Sequence, residues 1–138
     1  MKTLILICLC LATWIVSNAQ VNDLNGEWNL IEFSTDTENG NEQMNEEKLK
    51  GDGSVWNLFF LEEAKFRQTS NMSESGTMDT YEGTWKKSGD NLTISILING
   101  QYYDLYYTCK LDGNILTLVR SNPMGTMKIT GKFRKKLS

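Results

Sequence analysis

Residues 91–120 read NLTISILINGQYYDLYYTCKLDGNILTLVR, and the period of that stretch decides the fold. Leu92, Ile94, Ile96 and Ile98 alternate with Thr93 and Ser95, the pattern of a strand with one buried face. Asn99-Gly100 interrupts it, and 101–111 carries the alternation on through Tyr103, Leu105, Tyr107, Cys109 and Leu111. Asp112-Gly113-Asn114 makes the next break before Leu116 and Leu118 resume the period in 114–120. Asn-Gly and Asp-Gly accept the positive backbone dihedrals of tight hairpins. The three runs are therefore predicted as consecutive antiparallel neighbours, a meander.

The same period extends in both directions. Toward the C-terminus, Pro123 falls in a turn from Asn122 to Gly125, and a last strand is predicted at 126–135. Toward the N-terminus, 77–87 places Tyr81, Gly83 and Trp85 on one side and Glu82, Thr84 and Lys86 on the other. Residues 64–70 and 55–61 make two more strands with Glu62-Glu63 at the bend between them, and Trp28 and Leu30 share one face of a first strand near 26–34. Short antiparallel strands in this order predict an all-β fold, an eight-stranded antiparallel up-and-down β-barrel. Only 41–50 has the composition of a helix, a short one ended by Gly51. The long connection 35–54 is polar and acidic and reads as a flexible lid or an unstructured loop.

The 138 residues suffice for one domain. With 14 Lys+Arg, 17 Asp+Glu and no histidine, the chain lacks the base of Ser-His-Asp and Cys-His catalysis and the commonest zinc ligand. No phosphate loop, metal constellation or nucleophile elbow stands in the sequence, so neither an enzyme nor a cofactor or metal is predicted. The basic cluster Lys132–Lys136 is too short for a nucleic-acid footprint. Charge is nevertheless uneven. Acidic side chains outnumber basic ones 14 to 4 in residues 20–82, and basic outnumber acidic 9 to 3 in 83–138. Pairing of the first and last strands of a closed barrel would bring the two halves together.

Met1-Lys2 is a short positive start, residues 4–16 (LILICLCLATWIV) are almost unbroken apolar, and Ser17 and Ala19 stand where a signal peptidase reads small residues. The apolar run falls short of the roughly 20 residues that cross a bilayer as a helix. Residues 1–19 are predicted as a signal peptide cut after Ala19, and 20–138 as the exported domain, secreted or periplasmic, with no transmembrane segment. Cys8 and Cys10 leave with the signal, and Cys109 is predicted as a buried thiol without a disulfide.

Leu24-Asn25-Gly26-Glu27-Trp28-Asn29-Leu30 resembles the Gly-x-Trp first-strand motif of lipocalins and their relatives. Tyr81-Glu82-Gly83-Thr84-Trp85, Gly89-Asp90-Asn91-Leu92-Thr93-Ile94 and Gly113-Asn114-Ile115-Leu116-Thr117-Leu118 resemble the later strands of small bacterial lipocalin-like domains, calycin-type β-barrels. The resemblance covers nearly all of 24–135. It implies that Gly26 lets the chain enter the barrel base without a Cβ clash and that Trp28 plugs the narrow end. It further implies a basic side chain from the last strand over that ring, with Arg134 as the expected residue and Lys132 on the same face. The chain departs from typical lipocalins in lacking a helix after the barrel and a disulfide. Lys132-Phe133-Arg134-Lys135 also lacks the Arg-x-Tyr pattern of fatty-acid-binding barrels.

Alternation turns Trp28, Trp56, Phe60, Phe66, Tyr81, Trp85, Tyr103, Tyr107 and Phe133 inward, enough volume to fill a solid core or to line a pocket. Polar residues on the same faces are Arg120 after Leu118, Gln68 after Phe66, and Glu32 after Leu30. The candidate ligand-binding residues are Arg120, Tyr103, Tyr107, Gln68, Trp56 and Trp85, with Arg120 and Tyr103 or Tyr107 placed to hold a carboxylate. The expected function is binding or carrying a small hydrophobic or amphipathic ligand inside the barrel. The alternative is a solid-cored interaction or inhibitor module of the cell envelope, acting through its outer surface and the 35–54 loop.

Overall fold

Every alternating run forms a strand in the computed structural model, which describes residues 24–137. The predicted signal peptide, its cleavage point, Cys8 and Cys10 lie outside those residues. The elements are β1 (Gly26–Thr37), β2 (Gly40–Met44), α1 (Glu46–Asp52), β3 (Trp56–Phe60), β4 (Lys65–Ser70), β5 (Asp79–Ser88), β6 (Asn91–Ile98), β7 (Gln101–Asp112), β8 (Ile115–Ser121) and β9 (Met127–Lys135). Strands β1 and β3 to β9 are antiparallel neighbours in sequence order, and β9 pairs back onto β1. That closure makes the eight-stranded barrel. Asn99 and Gly100 both take positive φ, 51° and 80°, as the two-residue hairpin from β6 to β7 requires. Among the described residues no helix is long and apolar enough to cross a membrane.

The connection 35–54 is neither a lid nor unstructured. Strand β1 runs on to Thr37, and β2 folds back on it with Phe33 opposite Met44 and Thr37 opposite Gly40. Strand β3 takes Gly26 to Asn29 of β1, so β2 and β3 lie end to end along one flank of that long strand. Helix α1 fills the gap between them. Its start is the Asn45 side chain, which accepts the Lys48 N–H at 2.9 Å, with Glu46 and Glu47 in the first turn. Its end is Gly53 at φ 68°, not Gly51, because the left-handed turn at Gly53 lets its N–H reach the Lys50 carbonyl and the Ser54 N–H reach the Leu49 carbonyl.

Strand β1 carries a bulge. Leu30 faces Phe133, but the next register pair is Glu32 with Lys132, leaving Ile31 extra. A one-residue insertion reverses parity, so Phe33, opposite Gly131, now points inward and Glu32 outward. The expectation that Glu32 shares the interior with Leu30 fails for this reason. Outside the barrel Glu32 meets Lys132 at 3.8 Å, while Glu27 meets Lys136 at 3.4 Å and Glu46 meets Arg134 at 3.0 Å. The acidic first third and the basic last strand thus offset one another. Solvent screens exposed pairs of this kind, so each contributes little to stability.

The barrel base is closed by aromatic rings. Trp28 is 0% exposed, and its Nε1 donates to the Leu24 carbonyl at 2.8 Å, which ties the entering chain across the bottom. Phe60 packs on Phe66 and on Trp85, with ring centroids 5.4 Å apart in each pair. The cation over Trp28 is Lys135, its Nζ 5.6 Å from the ring, and not Arg134. Strand period explains the correction: Phe133 is buried inward, so Lys135 shares its face and Arg134 must point out. Gly26 sits at φ +133°, and a Cβ there would lie 3.0 Å from the Lys135 Cε, so the glycine makes room for that lysine stem.

Candidate functional site

The interior divides by height. Lower inward residues such as Leu58, Phe60, Leu92, Leu116 and Phe133 are at most 1% exposed. Above them Trp56, Gln68, Tyr81, Leu105, Arg120 and Ile129 are half-buried, and Trp56, Tyr81 and Leu105 pack on that core, so the interior is less tightly sealed toward the mouth than at the base. Register explains who meets whom. Gln68 stands between Leu58 of β3 and Tyr81 of β5, and Arg120 stands opposite Ile129 of β9.

Arg120 lies with its guanidinium carbon 5.9 Å from the centre of the Tyr107 ring. Tyr107 is 8% exposed and forms the floor beneath it. Burial pushes the Tyr107 hydroxyl above its ordinary range, with a smaller opposing pull from Arg120, so the ring is neutral at physiological pH. Among the described residues Arg120 has no carboxylate partner. Trp56 packs edge-on against Phe133 at 5.1 Å and Phe33 at 6.3 Å, which fixes its indole. Its Nε1 is the one buried side-chain polar atom among the described residues that lacks a hydrogen-bond partner. The upper barrel therefore holds a cation and an N–H donor, both unmatched by protein acceptors.

Of the six sequence candidates, Arg120 lies over Tyr107, while Gln68 and Trp56 are half-buried on the inward faces of β4 and β3. Tyr103 reaches the rim of the mouth, 47% exposed, and its hydroxyl is 3.4 Å from the Gln101 side-chain oxygen rather than near Arg120. Trp85 does not join them. It is 5% exposed at the base, with its Nε1 directed at the Leu61 carbonyl at 3.4 Å. Alternation fixes in or out but not height, and Trp85 sits low on β5. Phe33 was missed because only the bulge turns it inward; the run Leu30-Ile31-Glu32-Phe33, two adjacent apolar residues and then a third, was the available signal.

A second cleft, about 450 Å³, lies outside the barrel between α1 and β9. Leu49 is buried in it at 3% exposure, and Arg134 clamps Glu46 with two bonds, Nη1 to Oε1 at 3.0 Å and Nη2 to Oε2 at 3.3 Å. Those Arg134 bonds hold the Glu46 carboxyl below its ordinary range, helped by Lys50. A depressed carboxylate stabilises the fold above its unfolded pKa, and that contribution fades as pH falls through the folded value. Glu46→Gln should lower the urea midpoint at neutral pH, and the difference from wild type should shrink in acid. A pH-independent difference would show that the ion pair is not what anchors α1. Cys109, 2% exposed, is the buried thiol expected, and burial raises its pKa.

A family profile for the lipocalin-like domain matches residues 24–118. The chain belongs to the lipocalin-like family. A lipocalin-like protein from Bacteroides uniformis has a similar crystal structure, with TM-score 0.53 and 18% identity over 83% of this chain and 99% of that one. An uncharacterized protein from Bacteroides eggerthii gives TM-score 0.49 and 15% identity over 83% of this chain and 100% of that one. No curated protein matches the chain. At 18% identity the likeness to the Bacteroides uniformis protein concerns the fold alone.

Proposed function

We propose that this lipocalin-like protein is exported and carries a small amphipathic anion in the upper half of its barrel. The observation that carries the reading is Arg120, inward-facing and half-buried over Tyr107, with no carboxylate partner among the described residues. A half-buried guanidinium over an aromatic ring, with no protein acceptor beside it, supports a site that takes an anionic group. The apolar part of the ligand would lie along Trp56, Tyr81, Leu105 and Ile129, and the Trp56 Nε1 would take an acceptor atom. The chain has no histidine, which supports carriage rather than catalysis. Export rests on the layout of residues 1–19.

The test compares dodecanoate with dodecanol, one anionic and one neutral, on the domain from residue 20. Arg120→Ala should weaken the acid about 10-fold or more, since a charge-assisted hydrogen bond is worth about 1.5–3 kcal/mol. The alcohol should bind the variant as it binds wild type. Equal loss for both, or none for either, would remove Arg120 as the anchor. No uptake of either by wild type would favour the solid-cored interaction module instead.

A further inference from the structure

We propose that the upper half of β7 is a strand-addition site for an extended polypeptide carrying a basic residue between apolar ones. Strand β7 is longer than its neighbour: β8 pairs with it from Thr108 to Asp112, and residues 101–107 have no strand partner on that side among the described residues. Cys109 donates its N–H to Asp90 across the β6 side at 2.7 Å. Because backbone groups alternate along a strand, Tyr102, Asp104 and Tyr106 turn their N–H and C=O groups the other way, toward the open seam. A cleft of about 360 Å³ follows that seam, bordered by Asp104 and Tyr106 outside and reaching inward to Leu105, Arg120 and Ile129.

Free strand edges are ordinarily short, charged or covered. The edge of β2 obeys this rule, with five residues of which Asn41, Glu42 and Gln43 are polar and exposed. The β7 edge does not. Tyr102 is 59% exposed and Tyr106 67%, with Leu97 beside Tyr102 at 41% and Met124 of the facing loop at 84%. Between the two tyrosines on the outer face stands Asp104, which accepts the Ser95 hydroxyl at 2.5 Å and has no cation partner among the described residues. A second copy pairing about a two-fold axis at Asp104 would set two carboxylates opposite each other, which is unfavourable. An added strand with lysine or arginine opposite Asp104 and apolar residues opposite the tyrosines matches both features.

Two measurements test this on the domain from residue 20. Amide exchange of the free protein should be fast at Tyr102, Asp104 and Tyr106 and slow at Tyr103, Leu105 and Tyr107. The fluorescein-labelled peptide Thr-Val-Thr-Lys-Thr-Val-Thr should bind saturably, roughly 5-fold more tightly than its Glu counterpart, and slow the three exposed amides. Asp104→Lys should invert the preference. Protection of all six amides in the free protein, the absence of saturable binding, or a preference that Asp104→Lys leaves unchanged would each overturn the site. So would a concentration-dependent dimer that protects the same amides, which would assign the edge to a second copy. Arg120, Leu105 and Ile129 line this cleft as well as the proposed ligand site, but the amide pattern and the Asp104→Lys inversion read the outer strand alone.

Discussion

Gly83→Ala is expected to be among the most damaging single-methyl changes in the barrel, costing about 3 kcal/mol or more. Gly83 faces Ile96 across β5 and β6, and a Cβ added there would lie 1.7 Å from the Ser95 carbonyl oxygen. The obstacle is backbone, so no rotamer relieves it; two paired strands must separate, and Trp85 and Ile96, both 5% exposed, move with them. Overpacking against side chains typically costs about 1–3 kcal/mol, and a clash with a main-chain oxygen belongs at or beyond that range. Tm should fall by roughly 10–20 °C for a domain of this size. Gly51→Ala is the control: Gly51 lies inside α1 with nothing within 4 Å of its would-be Cβ. There the same methyl should stabilise by about 0.5–1 kcal/mol, through helix propensity and a less flexible unfolded chain. If the two variants melted together, the close approach of β5 and β6 at Gly83 would be disproved.

Gly83 also marks how far the sequence could be read. Its place on the inward face of 77–87 followed from alternation with Tyr81 and Trp85, and so did the meander and the barrel, because a period of two is a local property. The burial of Trp28, Phe60, Phe66 and Phe133 followed for the same reason. What depends on contacts between distant segments did not. The Ser95 oxygen that excludes a side chain at Gly83 is set by how tightly two strands coil together, which no window of residues records. The hairpin of β1 with β2 was hidden because Asn41, Glu42 and Gln43 have the composition of a loop; pairing with Phe33 to Thr37, not propensity, makes them a strand.

The candidate site shows the same division. The inward placement of Arg120 and Gln68 was legible because each follows an apolar residue at spacing two on a strand without irregularity. Glu32 was misplaced because one extra residue, Ile31, reverses every side chain beyond it. Trp85 was grouped with Trp56 because both are inward tryptophans, yet one closes the base against Phe60 and the other stands toward the mouth against Phe33. Height along a tilted barrel wall depends on the stagger between strands, a property of the closed sheet. The Trp56 Nε1 could not be picked out at all, since a missing partner is visible only when the neighbours are in place.

Trp28→Ala should cost about 3–5 kcal/mol, the range for removing a fully buried large aromatic side chain. Against a typical total stability of about 5–15 kcal/mol, that is roughly a fifth or more of what holds the domain together. The loss has separable parts, and two milder variants resolve them. Trp28→Phe keeps a ring in the base but gives up the bond from Nε1 to the Leu24 carbonyl, so its own cost should be near 1 kcal/mol plus that of the volume lost. Leu24 is 1% exposed, and its carbonyl has to find another donor or remain unpaired, which should raise amide exchange around Leu24 and Asn25. Lys135→Met keeps a stem beside Gly26 and removes only the charge over the ring, about 0.5–2 kcal/mol. Urea midpoints should therefore fall in the order Lys135→Met, Trp28→Phe, Trp28→Ala, with the last far below the others. Arg134→Met should leave the base intact and act through Glu46 on α1 alone, because its guanidinium lies outside the barrel. A loss in Trp28→Ala below about 1 kcal/mol would mean the base closes without its plug. In that case the tryptophan of the Gly-x-Trp motif would have to be explained by something other than stability.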